Sequence, residues 1–185
     1  MKRFALAFLA AISCNFAVAA NPMYVSASVG AAEQTYKVPG ASLSDNDTGF
    51  QVAAGYRVTP MVGVEAGYTT FGTATATADG ATVSAKPRSF YGAVTGTYNV
   101  TQQFAFTGKL GAAHTRTKLE GQASGMSASM TETDTSFVFG VGLTYAFNPD
   151  VSLIAEYQDF GKVAKSDADE SLKARVVTVG IRYNF

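Results

Sequence analysis

Five charged residues are the main candidates for chemistry in this sequence: Arg57, Glu65, Lys109, Glu156 and Arg182. Each lies on the less apolar face of a stretch in which apolar and other residues alternate. Breaking a buried ion pair typically costs about 3–5 kcal/mol, so carboxylates and cations that share a dry interior are expected to pair. We therefore predict a structural network of ion pairs, in which Glu65, Lys109, Glu156 and Arg182 lie at similar heights on their strands and share one layer. The alternative is a gate, in which an exchange of partners opens a narrow path for ions.

Eight alternating stretches position these charges. The last one shows the pattern most clearly, because Val177 and Ile181 fall on one face of a strand while Thr178 and Arg182 fall on the other. A strand of about ten residues is also long enough to cross a bilayer when it is tilted. The eight predicted strands are Met23–Ala31, Phe50–Val58, Val62–Phe71, Phe90–Val100, Phe104–Ala113, Phe137–Phe147, Val151–Phe160 and Leu172–Phe185.

The connections between the stretches alternate in length, which predicts an up-and-down order of strands. Three are tight turns, at Thr59-Pro60, Thr101-Gln102 and Asn148-Pro149-Asp150. Four are long and rich in small and polar residues, and we expect solvated loops at Ala32–Gly49, Gly72–Arg88, Thr115–Ser136 and Gly161–Ser171. The predicted fold is all-β, an eight-stranded antiparallel up-and-down barrel. In outer-membrane barrels the short turns face the periplasm and the long loops face outside.

Alternation alone does not decide which face of the barrel points inward, since a soluble barrel would bury the apolar face. Here the other face consists mostly of Gly, Ala, Ser and Thr, and aromatic residues gather near both ends of the strands. Two aromatic belts around an aliphatic band fit the two interfaces of a membrane. We predict that apolar side chains face lipid, while small and ionic ones line a sealed interior. The aromatics predicted at the turn-side interface are Tyr56, Tyr98, Phe104, Phe147, Tyr183 and Phe185.

The amino-terminus and the composition agree with export. Lys2 and Arg3 precede an apolar segment and a small-residue cleavage site at Ala17–Ala19, so residues 1–19 are predicted to be a signal peptide and residues 20–185 the barrel. Cys14, the only cysteine, lies within that peptide, with lipidation as a minor alternative. Charged residues make up 15% of the chain, and loss of the peptide would leave 12 basic and 14 acidic residues. Such a balance argues against a nucleic-acid partner.

Two segments resemble the transmembrane barrel of the outer-membrane protein A family, which includes porin-like and opacity-type relatives. GYRVTPMVGVEAGYTTFG (Gly55–Gly72) is similar to its second and third strands, and AEYQ (Ala155–Gln158) with the terminal VGIRYNF is similar to its last two. The resemblance covers the barrel and implies no periplasmic domain. In family members that gate, a basic residue at the position of Ile154 pairs with the equivalent of Glu65. A second pair there falls at Thr95 and Thr144, so this chain departs from that arrangement.

Enzymatic activity is the hypothesis from another class, since some eight-stranded barrels modify lipid A with serine and histidine. His114 is the only histidine, and no serine follows it at the His-x-Ser spacing of such a deacylase. We therefore expect no enzyme. We also expect no cofactor and no metal site, because the acidic clusters lack the spacing of a calcium loop. Those clusters are Asp45 with Asp47, and Asp167 with Asp169 and Glu170.

The expected function is that of an integral barrel of the bacterial outer membrane, with a structural role and loops that bind ligands on host surfaces or on phage. The alternative is a low-conductance pore for ions or small solutes. The expected partners are outer-membrane lipid, lipopolysaccharide, and the barrel-assembly machinery, which would recognise the C-terminal strand. Arg116 and Lys118, at the loop end of the fifth strand, are candidates to contact lipopolysaccharide phosphates.

Overall fold

The computed structural model describes residues 22–38, 41–78, 81–123, 126–165 and 171–185. The predicted signal peptide and Cys14 therefore lie outside the described residues. Nine strand segments make up the fold: β1 (Met23–Val38), β2 (Ala41–Arg57), β3 (Val62–Thr70), β4 (Ala74–Ala78), β5 (Ala81–Asn99), β6 (Phe104–Ala123), β7 (Met126–Ala146), β8 (Val151–Lys165) and β9 (Ser171–Asn184). The described residues contain no helix with the length and apolarity needed to cross a bilayer.

The strands close into one antiparallel barrel. Consecutive strands pair with each other, except β3 with β4, and β1 also pairs with β9, so that Tyr24 lies opposite Asn184. Both β3 and β4 pair with β5, which makes them two halves of a single barrel strand interrupted at residues 71–73. The barrel therefore has eight strands, and the predicted fold class is confirmed. Where all eight strands pair, closure leaves no sheet edge, which satisfies the backbone groups that hydrocarbon would otherwise leave unpaired.

The strands are longer on the loop side than the sequence predicts. The ladder between β1 and β2 continues to the pair Val38–Ala41, and that between β6 and β7 continues to Ala123–Met126. The prediction that all four long connections are loops is therefore wrong, because most of their residues belong to strands. Alternation reports a strand with one apolar and one less apolar face, whereas backbone hydrogen bonds extend a ladder of polar or small residues equally well.

The three tight turns lie where the sequence predicts them, and a side-chain oxygen stabilises each one. Thr59, Thr101 and Asn148 each accept a hydrogen bond from the backbone N–H three residues later, at 2.9 Å, 2.9 Å and 2.7 Å. Serine, threonine and asparagine side chains commonly close turns in this way. The short turns therefore share one end of the barrel, opposite the extended hairpins.

The outer wall of the barrel is apolar, as predicted. Leu110 on β6 is 63% exposed and Phe137 on β7 is 82% exposed, while their neighbours in sequence alternate toward the interior. In water such a surface would far exceed the apolar patches of soluble monomers. In the hydrocarbon of a membrane, exposure of these apolar side chains carries no free-energy cost. The six aromatics predicted at the turn-side interface are all exposed on this wall.

Asp47 holds the interruption of the third barrel strand in place. Its Oδ2 accepts a hydrogen bond from the Thr73 N–H at 2.6 Å, and its Oδ1 accepts one from the Thr48 N–H at 2.6 Å. Between the two half-strands Gly72 has a φ of 80°, a left-handed conformation that disfavours a side chain, and a Cβ there would overlap the Asp47 carboxylate. These hydrogen bonds lower the pKa of Asp47. Asp47 lies on the hairpin side of Phe50, three positions earlier in β2.

We predict that Asp47→Ala destabilises the barrel at neutral pH by about 1 kcal/mol, since two backbone donors lose a charged acceptor that is itself screened by solvent. A lowered folded-state pKa means that this contribution is complete above about pH 4 and is lost as pH falls through the folded-state value. Urea unfolding at pH 7 and pH 3 measures it, with Asp47→Asn as the isosteric control. An equal gap between wild type and Asp47→Ala at both pH values would contradict the assignment.

Candidate functional site

The turn-side half of the lumen contains four of the five predicted charges in one layer. The Lys109 ammonium on β6 lies 2.6 Å from Glu65 Oε1 on β3 and 3.0 Å from Glu156 Oε2 on β8. All three side chains are almost completely buried. Arg182 on β9 completes the layer, with Nη2 at 3.6 Å from Glu156 Oε1 and 3.9 Å from Glu65 Oε2. Lys109 therefore bridges both carboxylates, whereas Arg182 makes longer electrostatic contacts.

Arg57 lies nearer the turns than the other four charges. It faces the lumen at the end of β2, where its Nη2 donates a hydrogen bond to Asn184 Oδ1 at 2.7 Å. Its guanidinium lies 5.2 Å from the centre of the Tyr24 ring, and that of Arg182 lies 4.3 Å from the same ring. Cation–π attraction favours both positions. The structure thus separates Arg57 from the layer formed by Lys109, Glu65, Glu156 and Arg182.

Two tyrosines complete the coordination of Glu65, and neither was among the predicted site residues. Tyr24 Oη donates to Glu65 Oε2 at 2.8 Å, and Tyr91 Oη donates to Glu65 Oε1 at 2.8 Å. Gly55 and Gly67 make room for these rings, because a Cβ at either glycine would overlap the facing tyrosine. The alternation along the strands is the sequence signal for these residues, since it places both tyrosines on the inward face.

Glutamine side chains connect the second carboxylate to the same network. Gln158 Nε2 donates to Glu156 Oε2 at 3.0 Å, and Gln51 Nε2 donates to Tyr91 Oη at 3.1 Å. Both glutamines are fully or almost fully buried. Neutral donors supply hydrogen bonds without adding charge, which is how a buried polar layer becomes satisfied. Lys109, the two carboxylates, the two tyrosines and the two glutamines therefore form one connected hydrogen-bond network.

An apolar layer fills the lumen on the hairpin side of the charges. The rings of Phe71 and Phe160 meet edge to face with centroids 4.9 Å apart, and Tyr91 contacts Phe160 at 6.0 Å. Val138 and Val176 pack in the same cluster and are fully buried. The prediction that only small and ionic side chains line the interior is therefore wrong at this level. Phe71 and Phe160 are the last residues of their predicted strands, and the alternation places both on the inward face. Large side chains are needed there to fill the width of the barrel.

The positions that gating relatives use for basic and acidic partners are uncharged in the lumen. Ile154 and Thr95 are both buried. Lys109, on a different strand, provides the ammonium that neutralises Glu65. The ion pairs of this chain therefore differ from those of the gating relatives. The role of these ion pairs stays a prediction.

The remaining candidates for catalysis or metal binding do not converge on a site. His114 is exposed on the outer wall, with Nδ1 3.1 Å from Thr135 Oγ1. The carboxylate of Asp47 is engaged by backbone donors, and the side chains of Asp45, Asp167, Asp169 and Glu170 lie outside the described part of the structure. Within that part, no group of three or more His, Cys, Asp or Glu side chains is arranged to hold a metal ion.

Solved structures share the fold. Ail, the attachment invasion locus protein of Yersinia pestis, is 22% identical with a TM-score of 0.60 over 89% of this chain and 99% of that chain, in a complex with the heparin analogue sucrose octasulfate. Neisserial surface protein A is 21% identical with a TM-score of 0.59, over 88% of this chain and 97% of that one. The outer membrane protease OmpT of Escherichia coli is 10% identical with a TM-score of 0.53, over 94% and 99%.

At these identities the solved structures establish the fold alone. A search of curated proteins gave no match. The family profile described as "Outer membrane protein beta-barrel domain" matches residues 4–185, which is nearly the whole chain. The matched profile, the closed eight-stranded barrel and its apolar outer wall agree with one another. The chain belongs to the outer membrane protein beta-barrel domain family and is an integral protein of the bacterial outer membrane.

Proposed function

We propose that this protein is a non-conducting outer-membrane barrel that displays rigid hairpins at the cell surface for attachment to external ligands. The observation that carries the proposal is the double closure of the lumen, by the Lys109–Glu65–Glu156 layer and by the Phe71–Phe160 layer. A path for ions would have to cross both. The pore alternative is therefore disfavoured, and the hairpins that continue the barrel wall become the functional surface.

The hairpins suit this role because they are continuous with the transmembrane wall. The β6/β7 ladder runs without interruption from Phe104–Tyr145 near the turns to Ala123–Met126 at the hairpin end. A ligand would thus meet a preorganised ribbon rather than a flexible loop, which reduces the entropy lost on binding. Ail, which shares this fold, has been crystallised with a polysulfated sugar. By analogy we propose that sulfated polysaccharides of host surfaces are candidate ligands here.

Comparison of whole cells tests the surface role. Cells that make the protein, cells that lack it, and cells with a variant in which residues 36–43 and 119–130 are each replaced by a two-residue turn would be applied to heparin-coated and uncoated surfaces. We expect the protein to increase attachment to heparin, and the shortened variant to return to the level of cells that lack it. Equal attachment by all three strains would exclude heparin-like ligands. Assembly of the shortened variant is checked by its abundance in the outer membrane.

We also propose that a basic array on the outer wall binds phosphate groups of lipopolysaccharide. The array consists of Lys86 and Arg88 on β5 with Arg116 and Lys118 on β6. Arg88 lies directly opposite Arg116, Lys86 lies opposite Lys118, and both arginines are exposed. The two arginines carry like charges on facing positions, which destabilises a strand pair, so their arrangement favours an anion bound between them. Phe90, two residues from Arg88 toward the membrane, is 64% exposed and marks the adjacent edge of the apolar wall.

We predict that the double variant Arg88→Gln/Arg116→Gln binds lipopolysaccharide at least about tenfold more weakly, since each arginine can make charge-assisted, bidentate contacts with phosphate. The measurement is lipopolysaccharide binding to the purified barrel in nanodiscs. Arg175→Gln is the control, because Arg175 also lies on the outer wall but pairs with Asp159 at 3.2 Å. Unchanged binding by the double variant, or equal binding of dephosphorylated lipid, would refute phosphate recognition by the array.

A catalytic role is not part of the proposal, although one structure with this fold is a protease. The described contact of the His114 ring is a threonine hydroxyl, which neither activates a nucleophile nor orients a general base as a carboxylate would. We expect His114→Ala to leave the composition of lipid A unchanged by mass spectrometry. A lost modification would instead identify an enzyme.

The C-terminal strand is the segment that we propose for recognition by the barrel-assembly machinery. Tyr183 and Phe185 are exposed on the outer wall of β9 and at its end, with their rings 4.9 Å apart. Deletion of Phe185 should reduce assembled barrel in cells while leaving refolding in detergent intact. Unchanged assembly in cells would oppose this role. The phage ligand suggested by the sequence stays a prediction, testable by resistance of cells that lack the protein.

A further inference from the structure

The turn-side end of the lumen widens into a cavity of about 370 Å³ that opens toward the periplasm. This vestibule is lined by two guanidinium groups, from Arg57 and Arg182, and by neutral polar side chains that include Asn99, Thr144, Ser152 and Asn184. No aspartate or glutamate belongs to the described residues that line it. Its volume lies near the lower end of small-molecule sites, which span roughly 300–1,000 Å³.

Arg182 is incompletely satisfied in its buried position. The residue is 4% exposed, yet its contacts with Glu65 and Glu156 are 3.9 Å and 3.6 Å, longer than hydrogen bonds. Its Nε is buried and has no hydrogen-bond partner among the described residues. A guanidinium carries five N–H donors, and a buried donor without an acceptor is costly. An acceptor supplied from outside the chain would complete this environment.

The carboxylates of this half of the lumen are already engaged by other donors. Glu65 accepts hydrogen bonds from two tyrosines and from Lys109, and Glu156 accepts them from Lys109 and from two glutamines. They therefore leave Arg182 without a close acceptor, and its side chain lines the vestibule together with that of Arg57.

Tyr24 holds the two arginines at one wall of the vestibule. The Arg182 guanidinium lies 4.3 Å from the centre of its ring and that of Arg57 lies 5.2 Å away, while the tyrosine hydroxyl is fixed by Glu65. Asn184 adds a further anchor by accepting a hydrogen bond from Arg57. Two cations held close together by the same ring repel each other. That repulsion becomes favourable attraction when an anion lies between them.

We propose that the vestibule is a binding site for a small oxyanion of phosphate size, which enters from the periplasm and accepts hydrogen bonds from Arg57 and Arg182. Planar guanidinium forks match the oxygens of phosphate and sulfate, and charge-assisted hydrogen bonds are roughly twice as strong as neutral ones. The ion-pair layer with Lys109 closes the far end of the vestibule, so the site retains the anion rather than conducting it. This site is independent of the hairpins and of the basic array on the outer wall.

Titration of the folded barrel with inorganic phosphate tests the site. Phosphate replaces chloride at constant ionic strength and pH, and side-chain NMR follows the Arg57 and Arg182 Nε–H signals. We expect saturable shifts of both signals with phosphate and none with chloride. Arg57→Gln should weaken phosphate binding about tenfold, the loss expected from one charge-assisted contact. Arg175→Gln, which removes an equal charge from the outer wall, should bind like wild type, because Arg175 pairs with Asp159 at 3.2 Å and lies outside the vestibule.

The outcomes separate a built site from general charge effects. Shifts that are equal in phosphate and chloride, or that never saturate, would overturn the proposal, and so would wild-type affinity in Arg57→Gln. Arg182→Gln is a second variant, expected to lose binding altogether. Because Arg182 also contacts the ion-pair layer, that variant could fail to fold. The wild-type titration and Arg57→Gln decide the question without it.

Discussion

Replacing Lys109 with methionine is expected to lower the free energy of unfolding by about 3–5 kcal/mol, the usual cost of breaking a buried ion pair from one side. Lys109 bridges Glu65 at 2.6 Å and Glu156 at 3.0 Å, so its loss leaves two carboxylates facing each other in a dry lumen. Methionine keeps the length of the side chain, and the effect therefore reports charge rather than a cavity. Urea unfolding in micelles, followed by circular dichroism, measures the change.

Two further variants show whether the effect of Lys109→Met comes from the loss of its buried charge. Lys118→Met alters the outer face of the same strand and should change stability by less than about 0.5 kcal/mol. Glu156→Gln in the Lys109→Met background removes one of the two carboxylates that lost their lysine partner, and it should restore part of the lost stability. A Lys109→Met barrel as stable as wild type would mean that the layer does not hold the fold together.

The second large effect is expected at the apolar layer. Phe160→Ala should cost about 3–5 kcal/mol, because a fully buried aromatic ring is replaced by a cavity between packed strands. The edge-to-face contact with Phe71 at 4.9 Å adds to this loss. Phe137→Ala is the matched control, since the same ring at that position is 82% exposed on the outer wall.

Stability of the two phenylalanine variants separates their environments. We expect Phe137→Ala to lose less than half as much stability as Phe160→Ala in the same lipid, since only the buried position leaves a void inside packed protein. Equal losses would indicate that Phe160 does not pack in the lumen. The comparison therefore also tests which face of β8 points into the lumen, and with it the inward position of Glu156 and Gln158.

The fold followed from the sequence because one physical rule controls most of it. Strict alternation from Val177 to Phe185 requires a strand with two distinct faces, and eight such stretches of membrane-crossing length require closure. The three tight turns were equally clear, since Thr59, Thr101 and Asn148 have the side chains that close turns. Strand length on the hairpin side was not predictable in this way. Small and polar residues there extend the ladder without an apolar signature.

The ion-pair layer was predictable in membership and not in geometry. Parity and height on their strands predicted that Glu65, Lys109, Glu156 and Arg182 share a layer, but not that Lys109 would bridge both carboxylates. Tyr24 and Tyr91 were not predicted as partners of Glu65, because alternation assigns a residue to a face of its strand without showing which side chain it reaches. Their inward position depends on the space left by Gly55, which lies opposite Tyr24, and by Gly67, which lies opposite Tyr91. Such complementarity depends on register, which the sequence alone does not give.

Conductance of the refolded protein in a planar lipid bilayer is the most direct measurement of the central claim, that two side-chain layers close the lumen. We expect no steady conductance steps above the lipid baseline, in either polarity, for the wild-type barrel. Glu65→Ala and Phe160→Ala measured alongside show whether removal of one group from either layer opens a path. Stable, reproducible open channels in the wild type would contradict the closed lumen and would support a pore instead.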